Sequence, residues 1–267
     1  MRIAIIGGGF MGEAFLRGIL RAKLAAPGEV AVAELVEAKR AQLKQEHAVR
    51  VTDDAESACI GAEVVLFAVK PQDLPAVARG LQGKFAPGAV IVSIAAGVRL
   101  EDVRRATGHR ASVRVMPNLP AAIGEGAAVF LAAPEVATHQ LDLVRRLLDA
   151  VATAVVEVSD DDSVDLATAL HGSGPAYVYL VIEAMIDSAV RMGMKRDDAQ
   201  SLVLATVAGA ARYAMESGRH PAELRNAVTS PGGTTAAALA ELEAAGMRAA
   251  IDEAIEAAYL RAVELGE

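Results

Sequence analysis

Tryptophan is absent from this chain, and tyrosine and phenylalanine occur only 4 and 5 times, so aromatics make up 3% of the residues. No large aromatic cluster can anchor the core. Close packing of Ala, Leu, Val and Met must do so instead, above all in the Ala-rich C-terminal third. Cysteine occurs once, as Cys59, which excludes an intrachain disulfide and a thiolate zinc site and fits a reducing compartment. Cys59 itself reads as a small buried hydrophobe or helix residue. No run of Lys or Arg with interleaved aromatics is present, and the formal net charge is −8; both argue against a nucleic-acid partner, whose phosphates demand basic patches. Nor is there a long apolar run. Ala176 to Val190 comes nearest and is broken by Glu183 and Asp187, too soon for a membrane span. The opening MRIAIIGGGF lacks the apolar segment and small-residue cleavage site of a secretory signal. The expectation is a cytoplasmic protein with no membrane contact. His47, His109, His139 and His220 show no metal-ligand spacing, and no metal site is expected.

The chain has 267 residues, of which 53% are hydrophobic and 22% charged, enough for two small domains with real cores. From residue 1 to about 158, short apolar runs alternate with helical stretches. Ile3–Ile6, Val30–Ala33, Glu63–Val69, Val90–Ile94, Ser112–Val115, Ala127–Phe130 and Thr153–Val158 read as strands, several apolar on both faces. Such runs separated by helices predict a parallel sheet covered on both sides. After Ser159 the pattern is helical throughout: roughly 160–170, 176–192, 197–217, 234–245 and 247–265. Ser159 is placed to cap the first of these, ahead of Asp160, Asp161 and Asp162. Gly193, Gly218 and Gly246 stand at expected helix C-termini. The 176–192 helix is apolar over more than one stripe, which predicts burial within the helical half or against another subunit; small Ala-rich helices favour the subunit contact. The fold class is therefore α/β, with a sheet-and-helix domain over 1–158 and a helical domain over 159–267.

Between the first strand and the first helix lies Gly7-Gly8-Gly9-Phe10-Met11-Gly12. It contains G-x-G-x-x-G, in which Gly7 permits the tight turn, Gly9 the approach of backbone to a pyrophosphate, and Gly12 close helix–strand packing. The helix N-terminus, with Phe10 and Met11 in its first turn, offers free N–H groups to the anion. Glu34 closes the second strand, where an acid accepts hydrogen bonds from the adenosine ribose and repels a 2′-phosphate. This leans towards NADH, although Lys39 and Arg40, one turn onward, offer charge to a phosphate.

Three later segments stand out. Ala68-Val69-Lys70-Pro71-Gln72 ends a buried strand with a charge and a proline, and strand carboxyl ends are where ligands bind in open α/β sheets. Met116-Pro117-Asn118-Leu119-Pro120 is a rigid loop after another strand. Ser230-Pro231-Gly232-Gly233-Thr234-Thr235 is a polar turn entering a helix, an anion-binding candidate with added hydroxyls. On the stretches IGGGFMGEA, LFAVKPQ, VSIAAGV, RVMPNLPAAIGEG, GSGPAYVYLVIEA and, above all, HPAELRNAVTSPGGTTAAALAELE, the chain resembles the pyrroline-5-carboxylate reductases over nearly its whole length. The resemblance implies a Rossmann domain followed by a helical dimerisation domain whose helices interlock between two subunits, with decamers of five dimers in many members. It implies reduction of a cyclic imino acid to proline by NAD(P)H, at a site formed by the cofactor domain of one subunit and the helical domain of its partner. Carried over residue by residue, Ser230, Gly232, Gly233 and Thr234, with Val228 beside them, hold the substrate carboxylate. Thr235 places its hydroxyl at the imine nitrogen. Ala68, Val69, Lys70, Pro71, Ala95 and Asn118 surround the nicotinamide ribose and ring.

Plain alternatives stand beside these roles: a helix cap for Thr235, a solvated strand end for Lys70, an Asx-turn for Asn118. The chain departs from the family at His171, where a small hydroxyl or Cys is usual, and at Leu119, where Thr is common. A histidine there is either a proton donor or a packing and hydrogen-bonding replacement. Two other functions compete. A hydroxy-acid dehydrogenase of the same two-domain plan would need a catalytic lysine, and none lies between Ala176 and Met194. A nicotinamide-binding regulator would be expected to lose the Ser-Pro-Gly-Gly-Thr-Thr turn, which is intact.

Overall fold

The computed structural model describes residues 1–266. Eight strands form one sheet: β1 (Ile3–Ile6), β2 (Val30–Ala33), β3 (Arg50–Thr52), β4 (Val64–Phe67), β5 (Val90–Ser93), β6 (Ser112–Pro117), β7 (Gly126–Ala132) and β8 (Ala152–Glu157). Their order is β3-β2-β1-β4-β5-β6-β7-β8. Helices α1 (Phe10–Arg21), α2 (Glu37–His47), α3 (Ala55–Cys59), α4 (Leu74–Gly80), α5 (Leu100–Thr107) and α6 (Thr138–Asp149) connect them. Helices alone follow: α7 (Asp161–Ala167) with a π-helical turn over Thr168–Gly172, then α8 (Gly174–Arg191), α9 (Arg196–Ser217), α10 (Pro221–Ala227), α11 (Thr234–Ala244) and α12 (Met247–Leu265). The chain forms two compact units, one of Met1–Ser173 with the residues from Ala258 onward, the other Gly174–Ala257.

The expected parallel sheet is a mixed one. β6 and β7 pair antiparallel, Val115 opposite Phe130. The reason is the connection: only the short 3₁₀ turn Leu119–Ile123 lies between them, and a parallel crossover needs a dozen residues or more. β3 went unseen because it is three residues long and half exposed at the sheet edge. The first helix of the C-terminal series is capped by Asp160, not Ser159: the Asp160 carboxylate accepts the Ser163 N–H at 2.7 Å, and the Ser159 hydroxyl donates to Asp160. α10 is a further helix that the periodicity did not reveal, started by Pro221 and capped by His220.

The continuous apolar strands are explained by burial on both faces. Ile3, Ile5, Val30, Val32, Val64, Leu66, Val90 and Val92 pack with Phe15, Leu16 and Ile19 of α1, Leu43 of α2 and Val144, Leu147 and Leu148 of α6. Their neighbours along the strands, Ala4, Ile6, Ala31, Ala33, Val65, Phe67 and Ile91, pack the other way against α3, α4 and α5. Cys59 is buried in this second layer, and burial, with Asp54 and Glu56 nearby, pushes its thiol up to about 12. It is an inert core residue.

Two ion-pair networks lock the layers. Glu13 of α1 is 7% exposed and takes Lys39 at 2.5 Å, Arg17, and His47 at 3.5 Å. Burial alone would raise its carboxyl, but the hydrogen bonds from Lys39, Arg17 and His47 outweigh it and hold it at about 2. On the far side, buried Arg114 of β6 pairs with Asp161, at 2.5 Å, and with Asp165 of α7. The depressed Glu13 carboxyl stabilises the folded state above its unfolded range near 4.5 and loses that contribution as pH falls towards 2. Glu13→Gln should therefore lower stability on the order of 3 kcal/mol at pH 7. Urea unfolding at a series of pH values should show the gap constant down to about pH 5 and shrinking below; a gap independent of pH would remove the ion pairs from the account.

Candidate functional site

β1, β2, β4, β5 and β6 run parallel, so their carboxyl ends share one edge of the sheet. The strand order reverses between β1 and β4, and that reversal opens the crevice where open α/β sheets bind ligands. The structure brings every expected cofactor residue to this edge: Gly7 to Gly12 after β1, Glu34 after β2, Ala68 to Pro71 after β4, Ala95 after β5 and Asn118 after β6.

The three glycines differ in what demands them. Gly7 has φ +104°, and a Cβ there would stand 2.7 Å from the Ala68 carbonyl oxygen. A Cβ on Gly12 would stand 2.0 Å from the Gly7 carbonyl oxygen, so helix and strand meet without room for a side chain. Gly9 has no such neighbour: a Cβ would meet nothing within 4 Å, and its φ of −66° suits any residue. The protein does not require a glycine at position 9, whereas a pyrophosphate lying on the backbone would. Gly9 is the N-cap of α1 with no side-chain cap, so the first N–H groups of the helix have no protein acceptor. The loop therefore fits a dinucleotide diphosphate. Phe10 is exposed above the loop, while Met11 packs into the core and offers only its backbone.

Glu34 is half-buried at the rim of this loop. Its carboxylate accepts the Gly8 N–H at 2.9 Å and the Val36 N–H at 2.8 Å, which fixes its position and leaves lone pairs for two further donors. The two cations nearby are engaged elsewhere. Lys39 is held by Glu13 and Gln42, and Arg40 donates to the carbonyls of Glu34, at 3.0 Å, and Leu35, at 2.6 Å.

Ala68 and Val69 are half-buried against the core, Lys70 and Pro71 are exposed, and the Lys70 carbonyl accepts the N–H groups of Asp73 and Leu74. Ala95 is buried at 4% exposure and its N–H donates to Ser93 Oγ at 3.4 Å. The Asn118 side chain is no Asx-turn. Its amide nitrogen donates to the His171 carbonyl at 3.2 Å and its oxygen accepts the Ala127 N–H at 2.9 Å, tying three elements together. Leu119 is exposed at the head of the following turn.

In the helical unit, the Ser230–Thr235 turn leads into α11. Gly232 takes φ +68°, and Gly233 is the N-cap without any side-chain cap bond. The Gly233 N–H donates to the Ser230 carbonyl at 3.0 Å, so the N–H groups left without an acceptor begin at Thr234. Ser230 Oγ lies 2.4 Å from where a Gly233 Cβ would stand, which places the hydroxyl at the helix N-terminus and accounts for the glycine. Thr235 is half-buried in the first turn and is not the cap; Val228 is 69% exposed just before the turn. An uncapped helix start with the Ser230 hydroxyl beside it offers backbone donors and a helix dipole, which can accept an anion.

Sequence reasoning missed Glu13 and the Arg114–Asp165 pair. The signals were present: a carboxylate beside Gly12 with Arg17 four residues on, and a lone arginine in the apolar strand Ser112–Pro117. Glu13, Glu46 and His47 also bring ligand-capable atoms within 4.8 Å of one another, but the Glu13 oxygens are taken by Lys39 and Arg17. No helix of the described residues is long and apolar enough to cross a membrane.

Comparison with known proteins matches residues 161–265 to the pyrroline-5-carboxylate reductase dimerisation family and residues 2–97 to the family described as NADP oxidoreductase, coenzyme F420-dependent. A pyrroline-5-carboxylate reductase of Synechocystis is 43% identical, over 100% of this chain and 99% of its own. Among solved structures, a pyrroline-5-carboxylate reductase from Coxiella burnetii superposes with TM-score 0.92 at 34% identity, covering 100% of this chain and 98% of its own. The Plasmodium falciparum pyrroline carboxylate reductase, solved with NADP bound, gives TM-score 0.89 at 26% identity, again over 100% and 98% of the two chains.

A methyl group should act differently at the three glycines. Gly9→Ala should leave the melting midpoint unchanged and weaken dinucleotide binding, whereas Gly12→Ala should destabilise the fold by about 1–3 kcal/mol. Calorimetric titration with NAD⁺ beside thermal melts would check both; a Gly9→Ala protein with unaltered affinity would show that no diphosphate lies on that backbone.

Proposed function

The chain belongs to the pyrroline-5-carboxylate reductase family, and we propose that it reduces 1-pyrroline-5-carboxylate to L-proline, the last step of proline biosynthesis, using NAD(P)H. The observation that carries this reading is the pairing, in one chain, of a diphosphate-shaped loop at Gly7–Gly12 with an uncapped, hydroxyl-bearing helix start at Ser230–Thr235. The substrate is a planar ring with one carboxylate and one C=N bond, and these two features of the chain answer to the cofactor and to the carboxylate.

Residues 1–158 serve in this reading as the dinucleotide-binding domain and residues 159–267 as the dimerisation and substrate-binding domain. Bound nicotinamide supplies a hydride to C5 of the imine, and the nitrogen gains or already carries a proton. The protein's own work is orientation and charge. Ser230 Oγ and the Thr234 N–H hold the carboxylate, Gly232 and Gly233 shape the turn, and Val228 lies beside it. The Thr235 hydroxyl hydrogen-bonds the imine nitrogen; a hydroxyl is a poor acid, so its part is to orient the ring and relay a proton rather than to act as a strong acid. Ala68, Val69, Lys70, Pro71, Ala95 and Asn118 line the nicotinamide ribose and ring.

Glu34 and the engagement of Lys39 and Arg40 favour NADH, since neither cation is left unpaired for a 2′-phosphate. The functional unit is a homodimer with interlocked helical domains, the turn of one subunit serving the cofactor domain of the other, and a decamer of five dimers is the larger assembly. Supporting it, Val178, Leu180, Val181, Met185, Leu202 and Leu204 are 40% to 66% exposed on α8 and α9, far more apolar surface than a solitary helical unit leaves bare. Composition and charge fit a cytoplasmic enzyme with a small-molecule substrate.

Purified protein should oxidise NADH, and NADPH more slowly, only when pyrroline-5-carboxylate is present; no turnover with either cofactor would refute the assignment. Thr235→Ala should lower kcat/KM about ten- to a hundredfold while cofactor affinity holds. Glu34→Ser should raise the NADPH-to-NADH rate ratio, and an unchanged ratio would take Glu34 out of cofactor choice.

A further inference from the structure

The geometry points to a positioning role for His171: as an imidazolium, it pins the carboxyl end of β6 beside the cofactor. This rests on the reading that Asn118 lines the nicotinamide site. Both ring nitrogens of His171 face carbonyl oxygens, Nδ1 that of Ala167 at 2.5 Å and Nε2 that of Met116 at 2.9 Å. A carbonyl only accepts. A neutral imidazole has one N–H and one lone pair, so it satisfies one of these contacts and sets lone pair against lone pair at the other. The imidazolium donates at both ends.

The clamp joins two segments that other contacts also bring together. The Asn118 amide donates to the His171 carbonyl, and a Cβ on Gly172 would stand 2.8 Å from Met116 Cε, so the π-helical turn and the end of β6 interlock at three adjacent points. The charged groups on the elements packed against the ring are Arg114 on β6 and Asp161, Asp162 and Asp165 on α7. Arg114 takes Asp161 and Asp165, and Arg99 takes Asp162. These groups are occupied with one another, and among the described residues no carboxylate pairs with His171. The positive charge of the imidazolium is held by the two carbonyls.

Loss of the proton opens one end of the clamp. When the Met116 end opens, the Met116–Asn118 segment loses its tether and Asn118 its fixed place, so cofactor affinity falls as pH rises. The reverse direction is excluded, because protonation never removes a donor.

The test is calorimetric titration of the wild-type protein and of His171→Gln with NAD⁺ from pH 6 to pH 9, together with nitrogen NMR of histidine-labelled protein. The His171 signals are those missing from the variant's spectrum. Wild-type affinity should fall about three- to tenfold over that range, the loss of one hydrogen bond, with its midpoint matching the passage of His171 from two protonated nitrogens to one. His171→Gln should bind with an affinity independent of pH. A ring that is neutral at pH 6, or a pH dependence that survives in His171→Gln, overturns the proposal. Binding is read rather than turnover, so the clamp is judged even if the imine proves not to be the substrate.

Discussion

Everything at the cofactor edge depends on how closely α1 lies against the end of β1. The Gly12 backbone sits where a Cβ would collide with the Gly7 carbonyl, and Gly7 in turn lies against the Ala68 carbonyl. These two approaches set the first turn of α1 directly over the gap between β1 and β4. They aim its unpaired N–H groups along the crevice at the switch point. A side chain at either position would push the helix outward, and the N–H groups would point into solvent rather than at a diphosphate. Glu34 and the residues after β4 owe their usefulness to the same constraint, because each is measured from a loop held in place by backbone contact.

The buried charges extend that constraint. Glu13 follows Gly12 directly, and its ion pairs with Lys39 and His47 reach from α1 to α2. The helix that presents the N–H groups is thus anchored at the same turn that presents them. One consequence is electrostatic: Lys39, one turn beyond Glu34, is neutralised by a carboxylate that three donors keep ionised against the effect of its burial. The electrostatics beside Glu34 are therefore a property of α1 as well as of the β2 end. The Arg114–Asp165 pair does for β6 and α7 what Glu13 does for α1 and α2. It fixes the strand whose Met116 carbonyl meets His171.

The cofactor half was legible because burial on both faces leaves apolar runs that overlap the strands. Val30–Ala33 and Ile3–Ile6 are found where the pattern places them. What pattern could not convey was pairing. Nothing in Ala127–Phe130 distinguishes an antiparallel strand from a parallel one, and only the shortness of the link to β6 decides it. The edge strand Arg50–Thr52 has no apolar run to detect. The glycine motif was legible as a motif, but the distinction between Gly9 and its neighbours needs coordinates, since it rests on what surrounds each backbone. Asn118 illustrates the same limit. Its residue type suggests a local turn, while its partners, Ala127 and His171, lie 9 and 53 residues away in the chain.

The helical half is a different case. Its helices other than α10 were legible from periodicity and from Gly193, Gly218 and Gly246, all at positive φ. The faces they bury were not, because their apolar residues do not segregate. α8 carries apolar side chains around most of its circumference, yet only Ile186 of this helix is buried. A helix that is apolar all round and bare on most sides has not found its core within one chain. Ile186, Ala199 and Val203, the small buried cluster between α8 and α9, hold the helical unit together without hiding its surface. The unit's family, matched over residues 161–265, is a dimerisation family, and the sequence is intelligible on those terms. Ala-rich helices leave backbones free to approach closely, as packing between helices of a dimerisation family requires.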